Sequence, residues 1–238
     1  MRTFIIIFIS ISSLLSCINP YDYNVDPKCS GNCFNGFGIK KWNDSGYMKG
    51  NWKNGELYGE ATQRLGDSTK FPGDIYVGNF NHGYDGYGTY YGKVGDFVHK
   101  GYWKNGKPDG YGESRFGSHS TNPNWSYKGE WKAGKRTGYG TMFMGTVGAR
   151  AGITYIGYWL NDNMHGAGKY IWPDGSVYDG HFADDYFDGK ATFTFSDGSR
   201  YIGEWYHGNS PGFLKVLDWD SKHVRNKDSI LTKFFLGK

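Results

Sequence analysis

The residues of this 238-residue chain that could do chemistry are seven histidines, the adjacent pair Asp184 and Asp185, and three cysteines. Histidines and carboxylates serve as metal ligands or acid–base groups only when several converge on one point. Here they are scattered. His82 and His207 sit in turn positions, and Asp184 and Asp185 adjoin another turn. His181 lies between a glycine and an aromatic residue, His165 just before a glycine, and His99 where comparable segments carry tyrosine. His119 falls in an inserted segment and His223 in the tail. The Gly-x-Gly pairs lack the strand–turn–helix setting of a phosphate loop. Cys29 and Cys33 are too few for a metal site, which needs about four ligands, and no second pair or histidine lies near them in sequence. No catalytic residue, metal or cofactor is expected.

The elements that hold these residues are legible from composition. Aromatics make up 19% of the chain, and its 38 glycines are about twice the average share. Rings favour strands, and glycine marks turns and close backbone approach, so the chain reads as all-β. The formal charge of +4 is unevenly placed. Arg2 stands alone in residues 1–16, and from Pro211 onward six basic residues face three acidic ones. The body between them balances at 20 against 20, which gives no footprint for a phosphate backbone and argues against nucleic acid as a partner.

One pattern recurs along that body: Tyr127-Lys-Gly129-Glu-Trp131, Tyr155-Ile-Gly157-Tyr-Trp159 and Tyr201-Ile-Gly203-Glu-Trp205. Phenylalanine ends it in Tyr76-Val-Gly78-Asn-Phe80 and Tyr178-Asp-Gly180-His-Phe182. Met48 and His99 replace the tyrosine ahead of Gly50-Asn-Trp52 and Gly101-Tyr-Trp103. The central glycines fall at 50, 78, 101, 129, 157, 180 and 203, a step of 23 residues with five more in three copies. Tyr, Gly and Trp at i, i+2 and i+4 share one face of a strand, and the glycine leaves a gap in which a neighbouring ring can lie. Lys53-Asn54-Gly55 and Lys104-Asn105-Gly106 carry the Asn-Gly signal of a tight hairpin turn, after which a second strand begins at Gly-x-Gly. A lone hairpin is only marginally stable, so the units must pair into one sheet. The inserted residues fall at one slot, in loops at Arg64–Ile75, Arg115–Ser126 and Met144–Thr154.

Tyr-x-Gly-x-Trp followed by Gly-x-x-x-Gly-x-Gly resembles the MORN (membrane occupation and recognition nexus) repeat. The resemblance runs from a half copy at Asn35-Gly36-Phe37-Gly38 to about Leu214. It implies an elongated single-layer, twisted antiparallel sheet with a groove along one face, used as a scaffold for protein or lipid contacts. Ala61 and Ala191 depart from the pattern in a glycine slot, as does Leu214 in the last copy.

At the N-terminus, Arg2, the apolar run Phe4–Ile9 and Leu14-Leu-Ser-Cys17 describe an export signal over residues 1–16. The apolar stretch is shorter than the 20 or so residues that span a bilayer. Leu-Leu-Ser-Cys resembles the lipobox of bacterial lipoproteins, which implies cleavage before Cys17, its acylation, and a membrane-anchored place in the cell envelope. Residues 17–32 then form a tether, with a local Cys29–Cys33 disulfide capping the first hairpin, as an oxidising compartment permits. The repeat array spans 33–214. Residues 215–238 form a C-terminal cap, with Ile230, Leu231, Phe234 and Phe235 spaced for a short helix capped at Asp228 or Ser229. The function expected is a non-enzymatic scaffold that binds a protein along the aromatic groove and insertion edge. The alternative is binding of glycan or lipid headgroups by exposed rings. Trp125, Tyr84, Tyr90 and Arg150 are the candidate contacts, and self-association through open sheet edges is a further expectation.

Overall fold

The computed structural model describes residues 28–93, 96–205 and 218–219, and among these no α-helix is present. They divide into two compact units, Met1–Arg136 and Thr137–Lys238. The first holds β1 (Lys28–Gly31), β2 (Gly36–Lys41), β3 (Tyr47–Lys53), β4 (Glu56–Arg64), β5 (Ile75–Asn81), β6 (Tyr84–Gly92), β7 (Phe97–Lys104), β8 (Lys107–Arg115) and β9 (Trp125–Lys132). Most of β10 (Lys135–Met144) lies in the second, followed by β11 (Thr154–Leu160), β12 (Asn163–Ile171), β13 (Val177–Ala183), β14 (Tyr186–Thr194), β15 (Arg200–Trp205) and β16 (Asp218–Trp219). Within each unit every strand pairs antiparallel with the next, as a single layer. Cys17, the export signal, the tether up to Pro27 and the expected helix at 228–235 lie outside the described residues. Of the C-terminal segment, Asp218–Trp219 extends the sheet by pairing with Tyr201–Ile202.

The register lines the marker glycines up directly across the strands. In the first unit the row runs Gly38, Gly50, Ala61, Gly78, Gly88, Gly101, Gly112, Gly129. In the second it runs Gly140, Gly157, Gly168, Gly180, Ala191, Gly203. The tyrosine two residues before a marker folds its ring over this bare strip. A Cβ on Gly88 would stand 2.2 Å from the Tyr76 hydroxyl, and one on Gly157 would stand 2.5 Å from that of Tyr155. Each of these hydroxyls donates to the carbonyl of the residue just past its own marker: Tyr76 to Asn79 (3.2 Å), Tyr127 to Glu130 (3.1 Å), Tyr155 to Tyr158 (2.8 Å) and Tyr178 to His181 (2.7 Å). Three tryptophans donate backwards, Trp52 Nε1 to Gly38 O, Trp103 Nε1 to Gly88 O and Trp131 Nε1 to Gly112 O, at 3.0, 3.2 and 3.3 Å. The polar atoms of these large rings are thereby satisfied inside the core that the rings make, as burial requires.

The core is this inner ring row, packed along the sheet instead of against a second layer. Tyr76 stacks on Tyr84 at 3.8 Å and meets Phe80 and Trp103 edge-on. Tyr178 stacks on Phe187 and meets Phe182 and Trp205 edge-on. Met48 and His99, the two replacements in the tyrosine slot, are buried in the same row.

Hairpin turns follow the sequence signal. Asn54-Gly55, His82-Gly83, Asn105-Gly106, Ala133-Gly134, Asn161-Asp162 and Asp184-Asp185 all have positive φ at both residues, the condition of a type I′ turn. A bulge after the marker glycine faces the first glycine of the following Gly-x-Gly. That glycine is left-handed in every described hairpin of the array, as at Gly59 (φ 71°) and Gly166 (φ 66°). The second glycine carries no such demand, which is why Ala61 and Ala191 fit there opposite glycines.

The five-residue insertions have a structural equivalent. Short connections close by bonds from Trp42 N to Gly46 O, Trp172 N to Ser176 O and Phe195 N to Ser199 O, each four residues on. Long ones close from Leu65 N to Asp74 O, Phe116 N to Trp125 O and Met144 N to Ile153 O, each nine residues on. Gly88→Ala is expected to lower stability by about 1–3 kcal/mol through overpacking against the Tyr76 ring. Gly92→Ala, whose Cβ would meet its nearest neighbour at 3.4 Å, should change it less; urea unfolding of the two variants measures the difference.

Candidate functional site

Strand alternation gives the sheet a second face, and that face carries rings in the open. The residue following a marker glycine, and the middle residue of Gly-x-Gly, point away from the ring row. Tyr87, Tyr102 and Tyr111 occupy these slots in the first unit, and Tyr139 and Tyr158 in the second. Their side chains are about half exposed, Tyr102 at 52% and Tyr158 at 51%. Register sets them side by side: Tyr87 opposite Tyr102 with centroids 5.3 Å apart, and Tyr139 opposite Tyr158 at 5.4 Å, both edge-on. Phe37 and Tyr58 stand exposed on the same face, Tyr58 beneath the Lys53 ammonium.

Between Phe37 and Tyr87 lies an open groove of about 530 Å³. Its sides are Lys49, Glu60, Thr62, Val77, Asn79 and Thr89, and its floor is the backbone of Gly50, Ala61, Gly78 and Gly88. The glycine row thus serves both faces: rings rest on one side of it, and the other side is left low. An extended segment lying here would meet apolar walls, amide and hydroxyl groups, one lysine and one glutamate.

The residues singled out from sequence fare differently. Tyr84 and Tyr90, expected as exposed contacts, are buried at 4% and 3%. Tyr84 stacks on Tyr76, and the Tyr90 hydroxyl donates to Asp74. Both point to the ring row because each sits an even number of residues from the marker-level Gly88. Trp125 is half-buried at the start of β9, its carbonyl closing the second insertion loop. Arg150 lines a separate cleft of about 260 Å³ in the second unit with Tyr170, Trp172, Phe187 and Asp185. The structure does not bring these four candidates together. The ring side of the sheet is filled by the rings themselves, and the groove lies on the opposite face. The exposed tyrosines are not among the candidates that the sequence singles out, although their alternation with the marker glycines is the signal that finds them.

The described histidines form no site either. Among the described residues no group of three or more His, Cys, Asp or Glu side chains could hold a metal ion. His82 contacts Glu56 at 2.6 Å and His119 contacts Asp96 at 3.1 Å, with Glu56 half-buried and the other three exposed. His99 is fully buried edge-on against Trp103 and Trp131, with Nδ1 2.8 Å from Ser114 Oγ. Burial pushes its imidazole down to about 3, so it stays neutral. Asp74, in the first insertion loop, accepts bonds from Tyr90 and from Lys93 N, and its carboxyl is raised by burial. Asp44 accepts from Ser68 and is lowered by that bond, which pins the same loop over the turn at Trp42–Gly46. The sulfurs of Cys29 and Cys33 stand at bonding distance, with Cα atoms 6.2 Å apart, closing the turn before β2.

With this geometry in view, comparison with known proteins identifies the repeat. Residues 99–121, 127–144, 155–177 and 178–200 match the MORN repeat, so the chain contains four MORN repeats. The copies around Gly50, Gly78 and Gly203 lie outside those matches but share their register and ring packing where described. No curated protein matches the chain. Among solved structures, a similar one is the TCP domain of SAS-4 (dCPAP) of Drosophila melanogaster in complex with a proline-rich motif of Ana2 (dSTIL). It is 13% identical with a TM-score of 0.43, over 77% of this chain and 93% of that one.

His99 gives a pH test of the ring row. The unfolded imidazole titrates near 6.5, and the folded one at about 3. Below pH 6.5 the unfolded state takes up a proton that the folded state refuses, so stability is complete above 6.5 and is lost as pH falls towards 3. Going from pH 7 to pH 5 should cost about 2 kcal/mol from this group. Urea unfolding of His99→Phe at the two pH values should show a drop smaller than the wild-type drop by that amount.

Proposed function

We propose that this chain is a non-enzymatic MORN-repeat scaffold that binds a protein segment across its tyrosine-bearing face, held at a bacterial cell envelope through lipidated Cys17. The observation that carries the binding reading is the pairing of half-exposed tyrosines across neighbouring strands, on the face opposite the ring core. Tyrosine supplies large contact area at low entropic cost and is enriched where proteins meet. Rings that served only the fold would be inside, as Tyr76, Tyr127, Tyr155 and Tyr178 are. A strand-built face with a glycine floor suits an extended segment, whose side chains would alternate between the groove and solvent.

The non-catalytic reading is supported by the dispersal of the histidines and by the burial of His99, which keeps it from accepting a proton near neutral pH. The anchor is supported by the position of Cys17 after the apolar run, and two cysteines closed into a local bridge accord with export. The same tyrosines could stack on sugar rings, which makes glycan the competing ligand.

A photo-reactive phenylalanine placed at Tyr102 or Tyr87, on the open face, should cross-link a protein in intact cells, whereas the same probe at Tyr84 should not. Equal yields at all three positions would sink the face assignment. Retention of the chain on envelope glycan, lost in Tyr87→Ala/Tyr102→Ala, would turn the reading to the sugar ligand. Palmitate label should enter the wild type and be absent from Cys17→Ala; equal label in both removes the anchor.

A further inference from the structure

The third insertion loop, between β10 and β11, plays no part in the tyrosine-bearing face. It meets the ring side of the second unit, where Tyr170 and Phe187 stand an even number of residues from the marker-level Gly168 and Ala191. Bonds from Gly152 N to Gly145 O (2.7 Å), Ala151 N to Gly148 O (3.1 Å) and Ile153 N to Arg150 O (3.2 Å) set its backbone. Gly152, with φ at 77°, lies against Pro173: a Cβ there would stand 2.8 Å from Pro173 Cγ. That contact seats the loop on the turn after Trp172 and brings Arg150 to the rings. The short connections at Trp42–Gly46 and Phe195–Ser199 lack the residues that build this wall.

Loop and ring row enclose the cleft of about 260 Å³. Tyr170, Trp172 and Phe187 supply its rings, and Arg150 and Asp185 its charged groups. The ring planes are steeply inclined, Tyr170 to Trp172 at 61°, Tyr170 to Phe187 at 87° and Trp172 to Phe187 at 59°. No two of these walls are parallel, so they make no slot for a flat aromatic ligand. A puckered ring carries C–H groups on both of its sides, and these rest on the electron-rich face of one aromatic ring while meeting the edge of another. The Tyr170 hydroxyl donates to Met144 Sδ at 3.8 Å, which leaves the ring itself to the cleft.

The charged pair narrows the ligand further. Asp185 is placed by its turn: its N donates to Met164 O at 3.1 Å, and its Oδ1 accepts from Met164 N at 2.8 Å. Both charges reach Tyr170, whose hydroxyl pKa is pushed up by burial, lowered by Arg150 and raised by Asp185. One charge of each sign favours a ligand with no net charge. A guanidinium only donates and a carboxylate only accepts, whereas a hydroxyl does both, so neighbouring ring hydroxyls answer the two groups together.

We propose that this cleft is a binding site for a pyranose sugar, free or as a unit of a glycan, with Trp172 against the C–H face of the ring and Arg150 and Asp185 on its hydroxyls. At about 30 Å³ per water the cleft has room for about eight or nine waters, or one sugar ring with its hydroxyls. The site lies apart from the open tyrosine face and does not rest on the reading given to that face.

The test is an NMR titration of the full chain carrying Cys17→Ala and methyl-labelled methionine. The probes are the methyl glycosides of glucose, galactose, mannose and N-acetylglucosamine. At least one should bind with a Kd of about 1 mM, as ligands of this size do, and shift the Met164 methyl while Met48 of the first unit stays unmoved. Arg150→Gln and Trp172→Ala should each raise that Kd about tenfold. Arg150→Gln keeps every ring in place, so it decides the matter even if Trp172→Ala does not fold. A trisaccharide that binds more tightly than its methyl glycoside supports a glycan unit as the ligand, and equal affinity supports the free sugar. No Met164 shift with any of the four sugars overturns the proposal, as does a Kd that Arg150→Gln leaves unchanged. A shift with glycine betaine or phenylalanine in place of the sugars gives the cleft to a zwitterion and overturns it too. Sugar binding lost in Tyr87→Ala/Tyr102→Ala but kept in Arg150→Gln puts the sugar on the open face and defeats the cleft alone.

Discussion

The contact on which everything else in this molecule depends is a tyrosine ring lying flat on glycine backbone. A ring at Tyr76 or Tyr155 occupies the volume in which two facing residues would otherwise hold their Cβ atoms. A strand with glycine at that level admits it when the residue in register beyond is also small, glycine at Gly88 and Gly168 and alanine at Ala191. One steric condition therefore sets composition, period and register together. The hydroxyl reaches past the glycine to a carbonyl on its own strand, so the ring is held at both ends and needs no opposing layer. Such a sheet grows by repetition, each hairpin roofing the glycine strip of the next, which is how repeat proteins gain stability from nearest neighbours.

The consequence for function is a division of labour between two faces. The inner face spends its aromatics on itself, and the glycine strip that makes this work leaves a low, smooth track on the outer face. Residues on either side of each marker are then free of packing duty and vary in character: Lys49 and Val77 in one slot, Asn79 and Tyr102 in another. Charge and ring content on that face can be tuned without disturbing the core.

His99 shows how far the inner row tolerates replacement. The imidazole takes the tyrosine slot and meets two tryptophans edge-on, and Ser114 takes the place of a carbonyl partner. It fits because it is held neutral, a condition that ties this stretch of core to pH in a way that a tyrosine would not.

Much of the architecture could be read from residue order. The 23-residue step, the shared strand face of Tyr, Gly and Trp, the turns at Asn54-Gly55 and Asn105-Gly106 and the single slot of the five-residue insertions are local properties, set by φ preferences and by the two-residue period of a strand. Which rings are spent in the core is not local. Tyr84 and Tyr90 look from sequence like surplus aromatics, yet one completes the stack on Tyr76 and the other holds Asp74 of a loop 16 residues earlier. Tyr102 and Tyr158 look like part of the motif and stand in solvent. Exposure depends on which neighbour covers a position, and the neighbour is assigned by register across strands. The tertiary structure alone decided that the glycine row has an open side, and that the lysines of the repeat gather on it.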